Sequence, residues 1–404
     1  MSKNYDVIII GGGIVGLATA YQILKVKPNI SLLILEKEDE GATHQSMRNS
    51  GVIHSGIYYK EGSKKAKYCI GGYKLLIDYC NKNSVNYNIC GKLIVANNKA
   101  EDQKIKFLYN RGINNGLDNL EILGKDKTKE IEPFAKCTSS LYVPQTGIIN
   151  YKELANSYLK NILLLGGKIS FRKKVIDIKN HQESSSSHEV ICNDKTYICN
   201  YLISCAGLQS DRLAMRTNPY LNMRIIPFKG EYFMLKENSQ YLVNNLIYPV
   251  PDTNFPFLGV HFTKLVNGGV ECGPNAILAF SREGYQKYSF NLNDFFSTMS
   301  WSGFYKLCFK YYKEGFNEYW RSIFKKAFVT ELQKLVPSIK SSDLYSSSSG
   351  IRAQACDKNG KLLDDFVIIQ NKNIVHVVNA PSPAATSSLS IGYEISKYYL
   401  KNSA

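Results

Sequence analysis

Tyr5-Asp6-Val7-Ile8-Ile9-Ile10-Gly11-Gly12-Gly13-Ile14-Val15-Gly16 is the stretch whose reading decides the fold. The β-branched apolar run before the glycines reads as a parallel strand buried on both faces. Gly11, Gly13 and Gly16 follow as G-x-G-x-x-G, and residues 14–24 continue with helical periodicity. A second apolar run, residues 31–35, ends in Glu36, 20 residues beyond Gly16. Gly11 permits a tight turn, Gly13 lets the backbone approach a pyrophosphate, and Gly16 lets the helix pack close on the strand. The helix N-terminus, around Ile14 and Val15, offers unpaired N–H groups to an anion. Glu36 can accept hydrogen bonds from a ribose hydroxyl. Strand, glycines, helix, strand and acid in register predict a dinucleotide site; glycines serving only a packing turn are the competing reading.

Beyond Glu36 and Lys37 comes a polar stretch that includes Thr43, Ser46, Arg48, Asn49, Ser50 and Gly51. Such a stretch suits wrapping an extended cofactor better than starting another strand–helix unit. Non-covalent FAD is therefore favoured over NAD.

The chain has 404 residues, beyond the size at which one core usually keeps growing, so two domains are expected. Lysine plus arginine number 50 against 34 acidic residues, a formal +16, which favours anionic lipid, nucleic acid or acidic metabolites. No single-strand platform or RNA module accompanies that charge, so nucleic acid is not expected. The ten cysteines contain no C-x-x-C pair, and neither zinc nor an iron–sulfur cluster is expected. No apolar run approaches the ~20 residues of a membrane span. Residues 7–10 lead into glycines rather than a cleavage site, which reads as a reducing compartment. A cytoplasm-facing protein is the expectation, with a mitochondrial one whose transit peptide has been removed as the second.

Arg48-Asn49-Ser50-Gly51-Val52-Ile53-His54-Ser55-Gly56-Ile57-Tyr58-Tyr59 resembles the flavin loop of the L-2-hydroxyglutarate dehydrogenase/oxidase family, within the D-amino-acid-oxidase-like flavoenzymes. Gln145-Thr146-Gly147-Ile148-Ile149-Asn150-Tyr151 and Pro227-Phe228-Lys229-Gly230-Glu231-Tyr232 extend the likeness. Gly350-Ile351-Arg352-Ala353-Gln354-Ala355 adds to it, and narrower matches are Leu246-Ile247-Tyr248-Pro249-Val250-Pro251 with the Gly259-Val260-His261-Phe262 stretch, and Asn379-Ala380-Pro381-Ser382-Pro383-Ala384-Ala385-Thr386. Lys229 departs from the family, which more often carries arginine there, and lysine cannot grip a carboxylate bidentately. A serine-rich insert, residues 182–188, reads as a surface hairpin tip.

The resemblance implies an α/β fold: a Rossmann-like FAD-binding domain of the glutathione-reductase/D-amino-acid-oxidase type, plus an α+β substrate domain with a mixed or antiparallel sheet. The first would be assembled from residues 1–80, 151–222 and 337–404, the second from 81–150 and 223–336. Val175 and the Ala206-Gly207 turn would supply a second dinucleotide contact. Ser382, Pro383, Ala384, Ala385 and Thr386 would lie at the flavin, with loop stiffening as the plainer reading of the prolines.

The activity implied is oxidation of L-2-hydroxyglutarate, a small dicarboxylate, to 2-oxoglutarate by hydride transfer to the flavin, with electrons passing to quinone or oxygen. That chemistry needs a proton acceptor and cations for carboxylates. His54 is the first choice as base and His261 the competitor. Arg352 is the candidate clamp for the α-carboxylate, its planar fork matching that group. Lys229 or Tyr248 would meet the distal carboxylate, with Tyr58 and Gln354 as weaker pocket candidates. Each of these histidines, and Arg352, also has a purely structural reading. Residues 301–328 form a basic, aromatic helical segment that fits either an anionic membrane surface or a hairpin packed on its own domain, and the basic excess favours the membrane. Three alternatives stay open: oxidation of an amino acid or N-methyl amino acid, oxidation of glycerol 3-phosphate, and an FAD-containing RNA-modification partner.

Overall fold

The computed structural model describes residues 4–180, 187–252 and 257–402. The apolar run at residues 7–10 is wholly buried in the strand Asn4–Ile10, which lies between two others. It pairs in parallel with Leu32–Leu35 on one side and Thr196–Ser204 on the other. Lys168–Ser170 and Ile374–Asn379 extend the parallel set outward. Antiparallel strands complete an eight-stranded sheet, among them the pair Val175–Asn180 and His188–Cys192. The expected hairpin tip falls between these two strands, and its residues 182–186 lie outside the described ones.

Helices Ile14–Val26, Tyr151–Leu164 and Ser388–Asn402 pack together over this sheet. The closeness is set by small residues. A Cβ on Gly392 would come within 2.8 Å of the Ala18 backbone.

A second, nine-stranded sheet is mostly antiparallel and carries a separate apolar core. Its spine is the long antiparallel pair Met223–Leu235 and Leu344–Asp357. The strand Leu344–Asp357 thus belongs to this sheet, while Ile374–Asn379 belongs to the first, so residues 337–404 are shared between the two. Adjacency in sequence hides this, because the long strand finds its partner more than a hundred residues upstream.

One buried ion pair ties the sheets together. Arg282, 1% exposed, forks onto Asp211, with Nη2 2.8 Å from Oδ2. The guanidinium also donates to the Leu208 and Ile225 carbonyls, at 2.8 and 3.0 Å. Removing one partner strands the other charge in a low-dielectric interior. Arg282→Met is therefore expected to lower unfolding stability by about 3–5 kcal/mol. The double variant Asp211→Leu, Arg282→Met should recover much of that loss in the same denaturant titration.

Candidate active site

The glycine turn is shaped by what cannot fit there. Gly11 has φ +103°, and a Cβ on it would lie 2.5 Å from the Cys205 carbonyl oxygen. On Gly16 a Cβ would lie 2.1 Å from the Gly11 carbonyl oxygen, so this glycine packs beneath the turn rather than facing the cavity. Gly13, by contrast, caps the helix with no side chain of its own and meets only Ser46 Oγ, at 3.3 Å. Ser46 Oγ accepts from the Ile14 N–H at 2.9 Å, which draws the polar loop over the helix start. The Glu36 carboxylate accepts from the Gly12 and Glu38 N–H groups, at 2.6 and 2.9 Å.

A cavity of about 1080 Å³ runs from this turn to the second sheet. It is lined by Gly11, Gly13, Ile14, Val15, Glu36, Lys37, Thr43, Ser46, Arg48, Asn49, Ser50, Val175, Ala206, Gly207, Ser382, Pro383, Ala384 and Ala385, and further in by His54, Tyr58, Tyr248, His261, Arg352 and Gln354. Of the residues singled out from sequence, Gly16, Gly51, Thr386 and Lys229 do not line it. Gly51 (φ +66°) sits against the Ile149 carbonyl, where a Cβ would come within 2.7 Å. Thr386 is buried behind the wall, where its hydroxyl meets the Tyr151 hydroxyl (2.8 Å) and accepts from the His54 N–H (3.1 Å).

Lys229 is a correction. Its Nζ donates to the Gln286 and Lys287 carbonyls, at 2.6 and 3.3 Å. Register explains it: Phe228 stands opposite Arg352 and Lys229 opposite Ile351, so Lys229 and Arg352 point to opposite faces of the sheet. Lys229 instead lines a neighbouring cavity with Arg48 and the serine run 346–349.

At the inner end the histidines are neutral. Burial, then the charges of Lys92, His261 and Lys65, push the His54 pKa down to about 3. For His261 burial dominates, Arg352 and Lys92 add to it, and a bond to the Gly259 backbone opposes, leaving about 4. His261 stacks on Tyr248 with ring centres 4.0 Å apart. Its Nδ1 lies 2.8 Å from the Gly259 carbonyl oxygen. A carbonyl can only accept, so Nδ1 carries the hydrogen and Nε2 the lone pair. His54 Nε2 has a longer contact, 3.3 Å to Ser382 Oγ.

Arg352 is half-buried against the Phe257 ring, 5.1 Å from its centre, and no carboxylate pairs with it among the described residues. The structural reading, a guanidinium holding a buried acid, therefore lacks its acid.

Sequence reasoning gave His44 no role, yet it lines the cavity beside Glu38, Glu283 and Lys37. Its Nε2 lies 2.9 Å from Glu38 and its Nδ1 2.6 Å from the Tyr285 hydroxyl. Glu38, His44 and Glu283 have the spacing of a metal site. The Lys37 ammonium, 2.8 Å from Glu283 and bonded to Glu38, already supplies the cation there. Gln45, Tyr59, Lys65 and Tyr232 also line the cavity without having been singled out; Tyr59 and Tyr232 stood inside quoted motifs.

These features fit an FAD: an open helix N-terminus, an acid at the end of the second strand, a close-approach glycine and a long cavity. A family model described as FAD dependent oxidoreductase matches residues 6–398. An L-2-hydroxyglutarate dehydrogenase from Indibacter alkaliphilus is 49% identical over 399 residues, covering 98% of this chain and 99% of that one. The human mitochondrial L-2-hydroxyglutarate dehydrogenase is 42% identical, covering 96% of this chain and 87% of that one. Among solved structures, the FAD-bound L-α-glycerophosphate oxidase of Mycoplasma pneumoniae superposes with a TM-score of 0.80 at 22% identity, covering 98% of this chain and 95% of that one. Glycine oxidase from Geobacillus kaustophilus superposes at 0.74 with 16% identity, covering 98% and 95%. At those identities the two structures share the fold alone, whereas the dehydrogenases match end to end, and the chain belongs to the FAD-dependent oxidoreductases and, within them, to the L-2-hydroxyglutarate dehydrogenase family.

Proposed function

We propose that the protein oxidises L-2-hydroxyglutarate to 2-oxoglutarate, with His261 as the base and Arg352 as the clamp for the carboxylate beside the reacting carbon. The observation that carries this is one cavity lined both by a guanidinium that no carboxylate pairs with among the described residues and by a neutral imidazole with its lone pair on Nε2. Bound FAD supplies the hydride acceptor for the C–H bond. Arg352 holds the α-carboxylate by its planar fork and so orients the carbon. His261 Nε2 takes the hydroxyl proton as the carbonyl forms. A low pKa keeps it able to accept at neutral pH, and Gly259 holds the ring against turning. His54, the first choice from sequence, becomes a second neutral contact on the same cavity. Glu36 and the backbone around Gly13 fit the ribose and the pyrophosphate. The electrons leave to a quinone or to oxygen.

Anaerobic addition of L-2-hydroxyglutarate is expected to bleach the flavin bands of the purified protein. Bleaching by the D-acid, sarcosine or glycerol 3-phosphate in its place would discard the substrate. The acid limb of kcat/KM should fall through about pH 4, the His261 value, rather than ~6.5. His261→Ala should remove that limb and most of the rate, roughly a hundredfold or more.

Gly13→Val tests the cofactor cradle. The new side chain meets little protein and projects towards the cavity, so a folded but colourless protein is expected. A fully yellow variant would move the pyrophosphate elsewhere.

The reading extends to a surface. Helices Ser302–Lys310 and Tyr312–Ile323 bury Phe304 and Leu307 but leave Phe309 (86% exposed), Phe316, Trp320 and Ile323 outside. Lys306, Lys310 and Lys313 stand exposed among them. Aromatic side chains interleaved with lysines match an anionic bilayer surface, where each lysine contributes about 1 kcal/mol. Among the described residues no helix is long and apolar enough to cross a membrane. Sedimentation with phosphatidylglycerol vesicles is expected to carry the protein down at low salt and release it at high salt. Phe309→Ser with Phe316→Ser should weaken that binding. Protein that stays in the supernatant at every lipid composition, or that only self-associates, removes the membrane from the account.

A further inference from the structure

Lys92 begins the strand Lys92–Ala96, every residue of which is buried. The lysine itself is 1% exposed. Tyr248 pairs with Ile94 in the neighbouring strand, which sets it on the face that Lys92 shares. The ammonium lies 4.4 Å from the centre of the Tyr58 ring and 4.9 Å from that of Tyr248. Both rings line the cavity, so Lys92 sits directly behind its aromatic floor. No carboxylate pairs with it among the described residues. Two aromatic faces soften the burial of a cation but do not neutralise it. A second polar group there lacks a partner as well: the Tyr58 hydroxyl is buried without any hydrogen bond.

An unpaired ammonium and an unsatisfied phenol beside one cavity both call for an anion. Arg352 is the other basic group without a paired carboxylate among the described residues, and the charges of both it and Lys92 reach His261. The charges of two basic groups therefore act on the proposed base. Resting on the proposed oxidation of a 2-hydroxy diacid, we propose that Lys92 and Tyr58 form the subsite for the carboxylate remote from the reacting carbon, the ammonium balancing its charge through the aromatic floor and the Tyr58 hydroxyl, sealed behind that floor in this structure, turning to bond it. The site then selects five-carbon dicarboxylates over monocarboxylates of the same length. Lys229, on the opposite face of its sheet, is left out of the subsite. Burial, weakly opposed by the Cys69 thiol, brings the Lys92 pKa down to about 7, so the ammonium forms readily once an anion arrives.

The test is equilibrium binding, separate from turnover. Calorimetric titration of the FAD-loaded protein with glutarate and with butyrate gives the dicarboxylate preference of wild type. Lys92→Met, which keeps the length of the stem, is expected to reduce that preference at least tenfold. Its melting temperature should be no lower than that of wild type, because a buried unpaired charge has been removed. Tyr58→Phe deletes only the orphan hydroxyl and should weaken glutarate several-fold more than butyrate. A preference unchanged in Lys92→Met, or a melting temperature that falls while the preference stays, assigns Lys92 to packing and overturns the subsite. Should Lys92→Met fail to fold, Tyr58→Phe decides: equal loss of both ligands, or of neither, overturns it. Failure of wild type to oxidise L-2-hydroxyglutarate would discard the reaction, while glutarate binding still reports on the subsite.

Discussion

Arg282 and Asp211 meet at the seam of the molecule with almost no exposure to water, and the rest of the site inherits its geometry from them. Asp211 stands on the helix Ser210–Thr217, whose first residue hydrogen-bonds the Val378 carbonyl of the parallel sheet at 2.6 Å. Asp211 also accepts from the Ile225 N–H at 2.9 Å, near the start of the long strand Met223–Leu235. The partner of that strand carries Arg352. One bidentate pair with its carbonyl contacts thus fixes where the long strands begin, and so how far Arg352 stands from the glycine turn. Such a pair costs desolvation on both sides and adds little net stability. Its value lies in register, because a shift of one residue along a strand would turn Arg352 away from the cavity.

Much of the parallel sheet and the glycine turn was legible in the sequence because local physics alone specifies them. A four-residue apolar run, glycines at positions where a Cβ would collide with backbone, and an acid closing the next strand leave few alternatives. The inner end of the cavity was less legible. Lys229 looked like a substrate cation because it stands in a family-like motif, but which face of a strand it occupies depends on pairing with residues far along the chain. Lys92 escaped notice for the converse reason. It opens a run of Leu, Ile, Val and Ala that reads as core, and only the packing of two remote tyrosines shows that its charge lies beside a cavity. His44 was passed over because Tyr285 and Glu283, which complete the cluster begun by nearby Glu38, are more than two hundred residues away.

The segment 301–328 shows a different limit. Helical spacing of aromatics is the same whether the stripe meets a core or a foreign surface. Tertiary packing divides the stripe: Phe304 and Leu307 join Trp301 and Ile226 in a small core, while Phe309, Tyr312, Phe316 and Trp320 turn outward. The stripe is too wide for one small core to cover.

In the proposed subsite, burial, which usually opposes charge, is what makes the inner cavity selective. Deep in the fold the histidines lose their protons, while two basic groups, Arg352 and Lys92, act on His261. Neither group has a carboxylate partner among the described residues, and burial makes that imbalance costly. A monoanion answers one of them, and a dianion of the right length answers both. The proposed base gains as well: positive neighbours disfavour its protonation before substrate arrives, and the incoming carboxylates relieve that bias when the hydroxyl proton must be taken. In the proposed reaction, the cost of burying these groups unpaired is recovered when a dianion binds, which links the placement of Arg352 and Lys92 to the choice of substrate and to the readiness of His261.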